Sequence, residues 1–175
     1  MLVHAKNIIG GKVVDMSSLT IAGDISSVVV DPENGAILAL LLQKNFWNTV
    51  RALSWRDIVE WYKDGILVRD SDNIVSVGDI IKVEKAMKEK TFALGDRVLT
   101  QKGKFLGFLH DFSFDSTLGA IGTIIVKKRF SSELRIMSAH RILSILSGKI
   151  IIRDIIEPAQ NKEKRAPQSL SSLAG

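Results

Sequence analysis

Apolar and β-branched residues in this chain come in short runs, each closed by a turn signal, and that rhythm predicts strands. Ile25 to Val30 and Ala36 to Leu42 flank Asp31-Pro32-Glu33-Asn34-Gly35, whose chemistry favours a hairpin turn. Leu109 to Phe114 alternates in character, Asp115 to Gly119 turns, and Ile121 to Val126 runs back. Gly35 and Gly119 supply the positive φ that a side chain resists. A further strand around Arg51 to Leu53, or Arg135 to Met137, leads into a helical turn opened by Ser54 or Ser138. Asp64-Gly65 and Ser147-Gly148 introduce the last strands, Ile66 to Val68 and Ile150 to Ile152.

These elements occur twice, 84 residues apart and without a gap. The shift aligns Gly11 with Gly95, Gly23 with Gly107, Asp31 with Asp115, and Gly35-Ala36-Ile37 with Gly119-Ala120-Ile121. It continues through Phe46 and Phe130, Arg51 and Arg135, Ser54 and Ser138, and Arg69-Asp70 and Arg153-Asp154. Two copies are too few for a solenoid, so each unit is expected to enclose its own small core and to lean on the other. Short strands at regular turns predict an all-β fold, mainly β with short helices, of two tandem small barrels, each closed or nearly closed. The expected division is barrel 1 over residues 1–73, a linker over 74–90, barrel 2 over 91–158, and a disordered basic, Ser-rich tail over 159–175. In the linker, Asp79 can cap a helix that places Ile80, Val83 and Met87 on one face and pairs Glu84 with Lys88. The run from Ile80 to Val83 can instead extend a strand.

Lys102-Gly103-Lys104-Phe105-Leu106-Gly107, followed by Phe108 to Asp115, resembles the PRC-barrel family: a Gly-Lys turn, a glycine, an alternating strand with an aspartate, then a hairpin. The first unit resembles the same module in degenerate form, with Ser27 where the second copy has Asp111. The resemblance implies a non-enzymatic binding scaffold. The family includes the cytoplasmic domain of the photosynthetic reaction centre H subunit, a ribosome-maturation factor whose barrel docks on a ribosomal protein, and archaeal proteins linked to cell division. A shared fold does not choose among such partners.

Composition narrows the chemistry. The absence of cysteine excludes disulfides and thiolate catalysis, and suits a reducing cytoplasm. The N-terminus lacks a signal-peptide pattern, and the longest apolar run, Ala36 to Leu42, falls far short of the roughly 20 residues that span a bilayer. Positive charge is concentrated in the second half: residues 1–90 hold 11 basic and 12 acidic side chains, residues 91–175 hold 13 and 7. His4, His110 and His140 show no ligand spacing, so no metal is expected. Adjacent strand residues point to opposite faces, so His110 and Asp111 cannot act on each other as a dyad. Asp31 and Asp115 are read as turn formers, and Asp70 and Asp154 as backbone acceptors with local pairing to Arg69 and Arg153. Gly10-Gly11 lacks a dinucleotide fingerprint, so neither a cofactor nor a catalytic residue is assigned.

Two loops carry the candidate partner-binding residues: Lys44, Phe46, Trp47 and Arg51 in the first copy, and Lys127, Lys128, Arg129, Phe130 and Arg135 in the second. Cations beside an aromatic suit phosphate contact with base stacking, and equally a protein hot spot. A structural alternative has each phenylalanine plugging its barrel mouth, with Trp47 the exposed anchor and Trp55 and Trp61 buried in packing. The expected function is therefore a cytoplasmic protein-binding adaptor. RNA or ribosome association through the basic second half stands as the alternative, and peripheral contact with an anionic membrane as a third. Self-association is left open.

Overall fold

A computed structural model of the chain describes residues 1–43 and 49–154. The first half carries β1 (Leu2–His4), the single turn α1 (Ala5–Ile8), β2 (Lys12–Asp15), β3 (Thr20–Val30), β4 (Ile37–Leu42), β5 (Arg51–Ser54), β6 (Ile58–Tyr62), β7 (Gly65–Val68) and β8 (Ile74–Ser76). After α2 (Ile81–Glu89) come β9 (Arg97–Thr100), β10 (Phe105–Asp115), β11 (Ala120–Lys127), β12 (Leu134–Ser138), β13 (Ile142–Leu146) and β14 (Lys149–Ile152). The fold is all-β, two small barrels with short helices.

The two sheets share one topology. The first runs β6-β7-β2-β3-β4-β5-β8 and the second β13-β14-β9-β10-β11-β12. Both contain a single parallel pair, β2 with β7 and β9 with β14. The long strands β3 and β10 bend at bulges between Ile25/Ser27 and Val29/Val30, and between Leu109/Asp111 and Ser113/Phe114. These positions are again 84 residues apart, so the kinks that curve each sheet are repeated with the sequence. A 3-10 turn, Trp55–Asp57 or Ala139–Arg141, spans the last gap of each barrel in place of a ladder. The Ser54 and Ser138 hydroxyls accept the Arg56 and His140 N–H groups there, as the sequence predicts.

Three expectations are corrected. Leu2–His4, assigned to barrel 1, pairs antiparallel with β10 of the second half. Ile74–Ser76, assigned to the linker, is a strand on the edge of β5. Helix α2 does form, with Glu84 and Lys88 2.8 Å apart, but Ile80 stands at its N-cap and no side chain caps it, Asp79 included.

The apolar interiors are not private either. Val13, Ile25, Leu40 and Leu53 of the first half join Val98, Leu109, Ile124 and Ile150 of the second in one buried cluster. Phe114, fully buried, meets the Trp61 ring edge-on at 5.5 Å. Units of this size bury too little apolar surface alone, and merging the interiors removes the remaining faces from water.

The halves meet through their hairpin turns. The Ile37 N–H donates to the Gly119 carbonyl at 2.7 Å, and the Ile121 N–H to the Gly35 carbonyl at 3.1 Å. Under the 84-residue shift each bond is the image of the other, so a local two-fold relates the turns. Trp55 Nε1 donates across the same seam to the Ser116 carbonyl at 3.1 Å. Outside the first sheet, Val83 and Ala86 of α2 seal Val29, Ala39, Leu41 and Ala52 into a second, smaller cluster, while Lys82 reaches Asp31 at 3.3 Å.

Candidate functional site

The end of the second half opposite the hairpin turn gathers the most chemistry. Phe108 pairs with Lys127 where β10 begins and β11 ends, and the bulge at His110 swings that residue out of register. A Cβ on Gly107 would lie 2.7 Å from the Lys127 carbonyl, so only glycine lets the two strands close here. The N-terminal segment crosses this end. The Lys6 N–H donates to Asp111 Oδ1 at 3.0 Å, His4 Nδ1 lies 3.2 Å from Asp111 Oδ2, and Lys6 Nζ lies 2.9 Å from His110 Nε2. Asp111 is buried and satisfied; its carboxylate fastens the N-terminus to the second sheet.

Around this fastening runs an open groove of about 510 Å³, lined by Lys6, Phe108, His110, Lys127, Lys128, Arg129 and Phe130 among others. The Arg129 guanidinium lies over the Phe108 ring at 5.2 Å, and Arg97 over Phe105 at 5.5 Å, with the two rings edge-to-face at 5.2 Å. Burial, then the charges of Lys6 and Lys127, hold the His110 imidazole below its ordinary pKa, so it is neutral near pH 7. Phe130 stands fully exposed at φ +59°, a conformation that a bulky residue rarely adopts.

Of the residues singled out in the sequence, Lys127, Lys128, Arg129 and Phe130 come together in this groove. Phe130 does not plug the barrel mouth. Arg135 is not part of the groove lining; its Nε lies 3.4 Å from Glu133 Oε1. Arg51 faces inward: one terminal N–H donates to the Ala22 carbonyl at 3.0 Å. Lys44, Phe46 and Trp47 lie outside the described residues, as do Pro158 and the tail from residue 159. Asp31 and Asp115 accept backbone N–H groups from Glu33, and from Thr117 and Leu118. Asp70 accepts the Asp72 N–H rather than pairing with Arg69.

Sequence reasoning missed Lys6, Phe105, Phe108 and Arg97. Phe105 and Phe108 stood in the family-like strand, but nothing local marks Lys6, which reaches the site from 104 residues away. It also placed His4 and His110 apart, whereas they flank Asp111. The site is chemically cationic and aromatic, and the Asp111 carboxylate beside it is spent on hydrogen bonds. Among the described residues no three His, Asp or Glu side chains converge on a metal position, and no helix is long and apolar enough to cross a membrane. A second cavity of about 410 Å³ lies between the halves, its wall mainly apolar and including Val28, Leu41, Met87, Phe92 and Phe112.

Residues 2–85 match the family model of the PRC-barrel domain. The match falls on the first half, whereas the motif read from the sequence lies in the second, which repeats the strand order of the first. No curated protein sequence matches the chain.

Proposed function

Since residues 2–85 match the PRC-barrel domain, we propose that the chain is a non-enzymatic adaptor that holds a protein partner at the basic, aromatic end of its second half. Domains of this family are generally non-catalytic and mediate protein interactions. The observation that carries the reading is Phe130, which turns a whole aromatic face to solvent from a strained backbone, beside Lys127, Lys128 and Arg129. An exposed aromatic ringed by cations is the composition of an interface hot spot, and strain of this kind is retained where a site needs it. The two barrels are read as β2 to β8 and β9 to β14, with β1 added to the second, and the cytoplasm as the compartment.

The test is capture from native lysate at physiological salt, with crosslinking and mass spectrometry to identify the partner. Phe130→Ala is expected to weaken capture by about tenfold or more while leaving the melting temperature unchanged, since the ring touches no core. Equal capture by wild type and variant would remove this reading.

RNA or ribosome association is favoured by a separate observation, the excess positive charge of the second half. A phosphate-binding surface loses affinity steeply with salt, roughly linearly in log–log form, whereas an aromatic anchor does not. Retention on ribosomal particles that disappears between about 50 and 200 mM salt would shift the assignment to RNA.

A further inference from the structure

The two halves present equivalent outer sheet faces, but a helix seals only the first; in the second Ser113 is buried beside the N-terminal segment, and the β12 end of the face lies open. In the first, Val29, Ala39, Leu41 and Ala52 are each at most 7% exposed beneath α2. The outer edge of β5 is closed there by β8, with Leu53 opposite Ile74 and Arg51 opposite Ser76. The 84-residue shift places Ser113, Thr123, Ile125 and Ile136 on the equivalent face of the second half. Ile136 lies opposite Ile125 and is 70% exposed, and Leu134 lies opposite Lys127 and is 50% exposed. Among the described residues β12 has no ladder partner on its outer side. Sheet edges are ordinarily blunted by proline, a bulge or an inward charge; β12 pairs with β11 without a register shift, contains no proline, and has Arg135 as its one charge.

We propose that this edge is completed in trans: an extended apolar segment of another protein, flanked by acidic residues, adds antiparallel to β12 and lays its side chains on Leu134 and Ile136. The first half supplies the template, because its own β8 and α2 fill the same edge and face. Two nearer occupants fit less well. In sequence, the 84-residue shift aligns Pro158 of the chain's own tail, which has no N–H, with Ile74, and Pro167 with Val83. A second copy pairing β12 with β12 would bring together two sets of Lys127, Lys128, Arg129, Arg135 and Arg141, with only Glu133 among them to offset the repulsion. The same cations select an acidic flank in a foreign segment. The inference rests on the protein-partner reading above but assigns a different surface, and a different mode of recognition, from the Phe130 loop.

The experiment uses the full chain and a synthetic peptide with the sequence of residues 74–89, its Lys82, Lys85 and Lys88 replaced by glutamate. At low salt the peptide is expected to slow hydrogen exchange of amides in Leu134–Ser138 by about tenfold or more. Ile136→Asp, at an exposed position that leaves the fold intact, is expected to lower peptide affinity by about tenfold, while Phe130→Ala changes it less than about twofold. The Phe130 control separates the two readings: edge binding can fail while loop capture persists, and the reverse. Three results overturn the proposal. One is unchanged β12 exchange at about 1 mM peptide. The second is protection without peptide at every protein concentration, which assigns the edge to the tail. The third is protection that grows with protein concentration, which assigns it to a second copy.

Discussion

Asp15 is buried at the end of β2, and its carboxylate accepts the Ser17 and Ser18 N–H groups, the Ser17 hydroxyl and, from across the barrel, the Ser71 N–H. The Ser17 and Ser71 bonds hold it far below the usual carboxylate range. A folded-state pKa below the unfolded value of about 3.9 means that its stabilisation is complete above that pH and drains away as pH falls through the folded value. Asp15→Asn is therefore expected to melt lower than wild type at pH 7, with the gap narrowing on acidification below about pH 4, as thermal melts across that range would show. A constant gap would mean the ionised form does not matter. Side-chain roles of this short-range kind were legible in the sequence. The backbone bonds that Asp31, Asp115, Ser54 and Ser138 accept each close within three residues, where turn chemistry is local. Lys6 and His4 were illegible for the opposite reason: their partners lie more than 100 residues away, and only the folded topology brings them to Asp111 and His110.

The elements read from the sequence are those long enough to show a period. Strands β3, β4, β10 and β11 announce themselves by aliphatic runs between turn signals, and the repeat doubles the signal. Strands β1 and β8 have three residues each, too few for any alternation, and their place is set by an edge that needs pairing. Helix α2 was legible from Val83 and Met87, though Ala86 rather than Met87 is the fully seated neighbour, because small Ala39 and Ala52 let the helix lie close. The hairpin turn offers the sharpest test at this scale. Gly119 sits at φ +61°, and a Cβ there would lie 2.7 Å from the Trp55 ring. Gly119→Ala is expected to cost about 2 kcal/mol or more, since a positive φ and a ring clash add, and chemical denaturation would measure it. Gly35→Ala, with Ile121 3.6 Å away, meets only the backbone penalty of about 1 kcal/mol.

At the level of the whole molecule the sequence revealed two units but not that they share one interior. The repeat says how many folds there are; it is silent on how they dock, because docking also draws on unrepeated residues such as Trp55 and Trp61, whose counterparts are Ala139 and Ile145. One interior implies one cooperative transition. Calorimetry of the full chain is expected to show a single peak, and Phe114→Ala, removing a fully buried ring that touches Trp61, should lower stability by about 3–5 kcal/mol without splitting it. Two separable peaks would mean that the barrels are independent bodies. The seam between the halves carries a longer consequence. Each hairpin turn lends an amide to the other at Gly35 and Gly119, so lengthening one loop slides its amide away from a fixed acceptor. The two turns are thereby held to a common length through descent, while the loops at the far ends, free of that bargain, are where the copies can diverge.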